Sequence, residues 1–399
     1  MVRFFPIAWL ALSLCQAETR SLSLKDTVRL ALDQSPDLVL SRFDEIRQNQ
    51  AVRVARDPFL PKIFVGSGLG YNNGFPMSIE GSAPSIVQAR ASASIYNRPQ
   101  KFRVAQELEL ARGLRHQVQG KREDVARAVA LAWLDTQKLA RLSGAARKQI
   151  DPLEQVLAVT AARAADGRAI PLDELRVKVE VEKARQRADN FAGEASLAES
   201  ALAILVGHTA DDRIQPTDDP TLLDLPDSED VAIRLALDNS PELKRLQSDI
   251  LAKGHEVQAN HSMRLPRMDF FGTYGLFAKF NHYEDYFRTF QRHNGQVGVS
   301  IQIPVFAGPA AHAQASMAEA DISRLRVDVN NTRNRLTQDT RRAWNQVKTL
   351  ERGRDLARLT LDLAREEVSV ALARFSEGRI SAKELEELRF AEGEKWMAF

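Results

Sequence analysis

"VRLALDQSPDL" at Val28–Leu38 and "IRLALDNSPEL" at Ile233–Leu243 stand 205 positions apart in a chain of 399 residues, and eight of their eleven positions are identical. The other three exchange Val for Ile, Gln for Asn and Asp for Glu. A chain that writes the same helix ending twice is built by duplication, and internal self-similarity constrains a fold more than any single motif does.

Outward from each copy the hydrophobic period changes to two. After "FLP" ending at Pro61, Ile63, Val65, Leu69 and Tyr71 share one parity, while Lys62, Gly66, Gly68 and Gly70 share the other. From Val87 to Ile95 the odd positions are apolar and Gln88, Arg90, Ser92 and Ser94 alternate with them. The second copy repeats this after Pro266, with Met268, Phe270, Tyr274 and Leu276, and then Val297, Val299, Ile301, Ile303 and Val305 against Gly298, Ser300 and Gln302. Alternation of this kind predicts strands over about 62–71, 86–96, 268–277 and 296–305, one hairpin per half, with "NNGFPMSIEGSAPS" as the first hairpin's loop. Strands of about 9 to 11 residues are long enough to cross a hydrocarbon core when tilted. Two hairpins on a soluble core would show the same alternation. Four strands cannot close a barrel, since about eight is the smallest number that works, so a membrane location requires several chains to share one barrel.

Beyond each hairpin the period becomes seven. Val104, Ala111, Val118, Val125, Ala132, Leu139, Ala146 and Leu153 recur in the first half, and Ala315, Ile322, Val329, Leu336, Ala343, Leu350, Ala357, Ala364 and Ala371 in the second. Strict heptads over this length predict helices that supercoil on neighbours. A helix from Gln100 to Ala165 would be ~100 Å long, with a kink expected at Pro152. Ala132-Trp133 matches Ala343-Trp344, and "DGR" at 166–168 matches "EGR" at 377–379, both now offset by 211. Each "GR" interrupts the heptads and helix resumes at once, which predicts turns at about 166–171 and 377–382 at the ends of helical hairpins. The duplicated unit is therefore helix, strand hairpin, long helix, turn and returning helix. Residues 18–220 form the first repeat and 221–399 the second, with a linker near "HTADDRIQPTDDPTLLDLPDSED". The first returning helix runs to about Gly207, whereas only 21 residues follow Gly378, so the second repeat is expected to lack its C-terminal end.

Composition narrows the class further. Lys and Arg number 55 against 53 Asp and Glu, and a net charge of +2 provides no field for nucleic acid. Arg3, the apolar run Phe4–Leu14 and the small side chains at Cys15 and Ala17 predict a signal peptide over 1–17, cleaved after Ala17. That run is too short to cross a bilayer as a helix. Cys15 is the only cysteine, so a chain cleaved there has no disulfide or thiolate chemistry. An alternative has Cys15 acylated, although Leu14 is bulky where a small residue is expected.

The signal peptide, the duplicated halves, "ALDQSPDL" and "ALDNSPEL", the "LP" before each first strand, "IPVFAGP" after the fourth and a Gly at each helical tip together resemble the TolC-type outer-membrane efflux protein family, over essentially all of residues 22–399. The resemblance implies a mainly α chain that gives four strands to a trimeric, 12-stranded β-barrel in the outer membrane of a Gram-negative bacterium. That barrel would be continued by a periplasmic α-helical barrel. It implies no enzyme activity and no cofactor. The function implied is the exit duct of a tripartite efflux or type I secretion system, with a periplasmic adaptor protein at the tips, an inner-membrane pump reached through the adaptor, and outer-membrane lipid around the strands. By resemblance, Asp166, Gly167, Arg168, Glu377, Gly378 and Arg379 are adaptor-contact tips. Asp173, Glu384 and Glu387 match acidic positions that narrow the family's periplasmic entrance, with Glu standing where better-known relatives have Asp. Glu384 and Glu387 are three apart and share a helix face.

Two other classes are weighed against this. An enzyme would need a polar constellation, and the best is His255, Glu256 and His261, whose His spacing of six does not match the four of a zinc helix. A soluble periplasmic coiled-coil scaffold or adaptor protein would also contain helical hairpins, but an adaptor would carry one unduplicated hairpin, and a scaffold gives the amphipathic strands no purpose.

Overall fold

The computed structural model describes residues 19–68, 85–166, 170–217, 225–277, 288, 291–305, 308–377, 379–380 and 382–398. The predicted signal peptide, positions 69–71 of the first predicted strand, most of its loop, and Gly167, Arg168 and Gly378 lie outside these residues. Two compact units are present, one of Met1–Val39, Lys121–Arg234 and Gln338–Phe399 and one of Leu40–Gly120 and Leu235–Thr337. Each unit draws on both sequence repeats.

The duplication is visible in element boundaries. Helices α1 (Leu24–Gln34) and α2 (Pro36–Arg56), the 3-10 turn Asp57–Phe59 and the start of β2 at Lys62 recur 205 positions later. Their counterparts are α6 (Glu229–Asn239), α7 (Pro241–His261), Ser262–Arg264 and the start of β5 at Arg267. The "SP" dipeptide does more than end a helix. Ser35 caps α1 by donating its backbone N–H to Ala31, and a residue before proline is pushed out of the α region, so the chain turns and a new helix starts on Pro36. At the second copy the Ser240 hydroxyl accepts the Leu243 N–H at 3.3 Å, an N-cap with Pro241 in the first position.

Helix α3 (Arg98–Lys148), which begins in the second unit and ends in the first, leads into α4 (Ile150–Ala165) through a break at Gln149. The expected kink at Pro152 is thus displaced by three residues. Pro152 occupies the third position of α4, where a backbone N–H has no intrahelical partner to lose. Helix α5 (Pro171–Val206) returns and ends at Gly207, which has φ 102°. His208 donates to Ala203 O at 2.9 Å and Gly207 to Ile204 O at 3.0 Å, the paired bonds of a left-handed cap. A Cβ at Gly207 would stand 2.7 Å from the Gln34 carbonyl oxygen, so both conformation and space require glycine there.

The segment read as a linker contains a strand. β4 (Arg213–Pro216) pairs in parallel with β1 (Thr19–Leu22), nearly two hundred residues away. Beneath this pair Ala31, Val125, Val129, Trp133, Leu202, Ala203, Val206 and Ile214 form the buried core. The Trp133 indole donates to the Leu22 carbonyl at 3.2 Å, which satisfies the one polar atom that a buried Trp carries. Its sequence counterpart Trp344 is only half-buried, with the Lys348 ammonium 5.4 Å above its ring. It lies on α8 (Ala310–Ser376), an unbroken 67-residue helix, and α9 (Ala382–Ala398) follows. No residue of the first heptad seam is exposed, whereas Ala343 and Leu350 of the second are.

The second unit carries a four-stranded antiparallel sheet, β2 (Lys62–Gly68), β3 (Ser85–Tyr96), β5 (Arg267–Phe277) and β6 (His293–Gln302), in the order β2-β3-β5-β6. The pairing of β3 with β5 joins the two repeats. The fourth strand begins three residues earlier and ends three earlier than its alternation implied, because Pro304 has no N–H to give a ladder. A bulge between Ser94 and Tyr96 takes Ile95 out of the alternation, so Tyr96 stands opposite Met268.

Candidate functional site

Register sorts the sheet into two chemically different faces. One face holds the cross-strand rows Val65–Ala89–Tyr274–Gly295, Ile63–Ala91–Gly272–Val297 and Ala93–Phe270–Val299, with Met268–Ile301 beyond. None of these side chains is buried, and Val297 is 77% exposed. The other face holds Gly66–Gln88–Gly275–Asn294, Phe64–Arg90–Thr273–Gln296, Lys62–Ser92–Phe271–Gly298 and Ser94–Asp269–Ser300. Phe64 and Phe271 break the polar pattern, Phe271 for a local reason. Its ring lies against Gly298, where a Cβ would meet the ring at 3.0 Å, so the aromatic covers a residue with no side chain. Among the described residues no helix is long and apolar enough to cross a membrane.

The described tip candidates, Asp166, Glu377 and Arg379, fall at helix ends. Asp166 ends α4, its N–H bonded to Ala162 O at 3.1 Å. At the second tip the Arg379 N–H reaches back five residues to Arg374 O at 2.9 Å, the same type of bond that His208 makes after Gly207. The Arg379 guanidinium lies 3.1 Å from the Glu377 carboxylate in an exposed pair, which at full solvation contributes little stability. Gly167, Arg168 and Gly378 lie outside the described residues.

Of the gate candidates, Asp173 falls in the first turn of α5. Glu384 and Glu387 share an exposed face of α9, whereas Leu385, between them in sequence, is buried. Other α9 residues meet the first repeat inside the same unit: the Arg187 guanidinium of α5 lies 5.6 Å from the Phe390 ring, and Gly393 lies against the Gln149 side chain at the α3–α4 break. A Cβ at 393 would stand 2.3 Å from the Gln149 amide nitrogen, a close approach that only the far end of Gln149 could relieve.

His255 stacks on Phe102 at 6.4 Å, and its Nδ1 is buried without a hydrogen-bond partner among the described residues. His261 instead faces Glu319 at 3.8 Å. Among the described residues no group of three His, Cys, Asp or Glu is placed to hold a metal. Two carboxyls outside the sheet are perturbed. Burial raises Glu199 against the hydrogen bond from Gln215 and the charge of Arg213, and burial raises Asp249 against Arg245.

A mainly helical, duplicated chain whose strands make one amphipathic sheet defines the fold of TolC-like outer-membrane channels. Residues 27–208 and 232–391 match the family model described as outer membrane efflux protein, and the chain belongs to that family. No curated protein sequence matches it. Its fold is similar to a membrane protein from Pseudomonas aeruginosa, with 19% identity over 94% of this chain and 87% of that one at a TM-score of 0.75. It is also similar to CusC, with 14% identity over 96% and 90% of the two chains at 0.76. The outer membrane protein VceC from Vibrio cholerae matches at 13% identity over 94% and 91%, with a TM-score of 0.74. Proteins of this family are outer-membrane efflux channels with a large periplasmic helical part, and they are not enzymes.

Proposed function

We propose that this chain is the outer-membrane exit duct of a tripartite efflux or type I secretion system. The observation that carries the reading is the two-faced sheet. Its apolar rows suit lipid, its polar rows suit a water-filled lumen, and among the described residues no strand pairs with the outer edges of β2 and β6. Unpaired edges are not tolerated in hydrocarbon, and four strands are too few to close, so three chains would join β6 to β2 of the next and close twelve strands. The helices would continue the duct into the periplasm. Asp166, Gly167, Arg168, Glu377, Gly378 and Arg379 would meet a periplasmic adaptor, through which an inner-membrane pump delivers substrate. Asp173, Glu384 and Glu387, repeated by threefold symmetry, would ring the periplasmic entrance with carboxylates.

Purified protein should run as a heat-dissociable trimer, fractionate with outer membrane and give discrete conductance steps in planar bilayers. A monomer that stays with the soluble periplasmic fraction would instead identify a coiled-coil scaffold. The tips are tested separately: Gly378→Val should abolish efflux in cells while leaving trimer and conductance intact, because a β-branched residue would strain the turn expected from the heptad break at 377–382. Normal efflux at normal protein level removes the tip assignment.

A further inference from the structure

We propose that Arg90 is a specificity-determining residue of the strand section, which it biases toward anionic solutes; the inference rests on the duct reading above. Arg90 stands in the middle of β3 on the polar face, between Phe64 of β2 and Thr273 of β5, with Gln296 of β6 completing the row. The row carries no carboxylate. Among the described residues, the other cations within the strands of this face each have a carboxylate close by, Lys62 that of Asp57 and Arg267 that of Asp269, which lies 3.7 Å from the Arg267 Nε and also accepts the Ser94 hydroxyl at 2.7 Å. Arg90 is held differently. The Gln88 amide, oriented to suit both donors, places its oxygen 3.0 Å from Nε and 2.8 Å from Nη2. A neutral amide fixes the direction of the guanidinium without cancelling its charge.

Distance decides whether Asp269 can cancel it. Asp269 pairs with Ser94, four residues along β3 from Arg90, a separation of ~14 Å along the strand at ~3.4 Å per residue. That exceeds the Debye length of ~8 Å at physiological ionic strength, so the charge of Arg90 is left to the solute. In a barrel of three chains this row becomes a ring of three guanidinium groups in the strand section, the arrangement by which pores favour anions and attract phosphate or carboxylate groups. It would act in series with the acidic ring proposed at the entrance. The reversal potential of the variants relative to wild type, and not the wild-type value alone, therefore reports on Arg90.

The test uses the full-length processed protein in planar bilayers under a KCl gradient. Arg90→Gln should move the reversal potential toward cation preference, Arg90→Glu should move it further, and Arg90→Lys should keep the wild-type value. Cys15 is the only cysteine and lies in the predicted signal peptide, so Arg90→Cys supplies a single thiol in the processed chain. Its modification by a trimethylammonium methanethiosulfonate should restore the wild-type reversal potential, and by a sulfonate reagent should drive it the opposite way. Conducting channels whose reversal potential is the same in wild type, Arg90→Gln and Arg90→Glu overturn the role of Arg90 and leave the duct reading standing. A loss of anion bias in Arg90→Lys as large as in Arg90→Gln also overturns it, since charge would not be the cause. A trimeric wild-type protein that gives no conductance refutes the duct reading, and the inference with it.

Discussion

Val297→Arg tests which face of the sheet meets lipid. Val297 lies in the middle of five apolar rows running from Val87–Leu276–His293 to Met268–Ile301, a band of ~27 Å along the strand at ~3.4 Å per residue. Its cross-strand partner is Gly272, so an arginine there has room and the cost is electrostatic and not steric. Arginine at the midplane of a lipid-facing barrel surface costs ~2 to 4 kcal/mol, falling to ~0 to 1 near the interfaces. At ~1.4 kcal/mol per tenfold, the folding equilibrium into bilayers should weaken about 30-fold to 700-fold for each chain. Ile301→Arg, at the end of the band, should cost much less than Val297→Arg. Gln296→Arg, one residue away on the polar face, should be nearly neutral. The assay is refolding into phospholipid vesicles across a urea series, read by the fraction of protein that runs as heat-resistant trimer. Equal midpoints for Val297→Arg and Gln296→Arg would refute the assignment of faces and argue for a soluble sheet.

Replacing Glu384 and Glu387 together with Gln should weaken divalent-cation block of single-channel current, with trimer yield unchanged; identical block would make them a solvated helix face. Trp133→Ala should cost ~3 to 5 kcal/mol, since it empties a fully buried site and leaves the Leu22 carbonyl with one donor, the Thr217 N–H, measured as a lowered urea midpoint by circular dichroism. The raised pKa of Glu199 means that the folded chain holds this proton more tightly than the unfolded chain, so stability falls as pH rises through the folded value. Glu199→Gln should therefore stabilise the protein at neutral pH and make no difference in acid below the unfolded value; a gain that persists unchanged in acid would point to packing and not to charge.

The order of elements was legible in the sequence because it depends on local period. Alternation at two marks Val87–Ala93, recurrence at seven marks α3 and α8, and the "SP" breaks recur with the same side chains at the same spacing. These signals are intrinsic to the chain, since proline lacks an N–H and strands point successive side chains to opposite faces. The end of α8 was legible for the same reason: the heptads break there, and the Arg379 N–H closes the helix with a backbone bond five residues back.

Tertiary structure decided what repeats could not distinguish. Trp133 and Trp344 occupy matching positions, but only Trp133 is sealed in a core, because only the first repeat has β1 and β4 above it. That pair of four-residue strands is too short to announce itself by alternation and exists through contact between segments nearly two hundred residues apart. The same holds for charge. Lys62, Arg90 and Arg267 read alike along the chain, yet among the described residues packing and register give Lys62 and Arg267 a carboxylate and Arg90 an amide. Local sequence determines which way a strand side chain points, whereas its neighbours come from distant strands brought into register, and the electrostatics of the polar face depend on those neighbours.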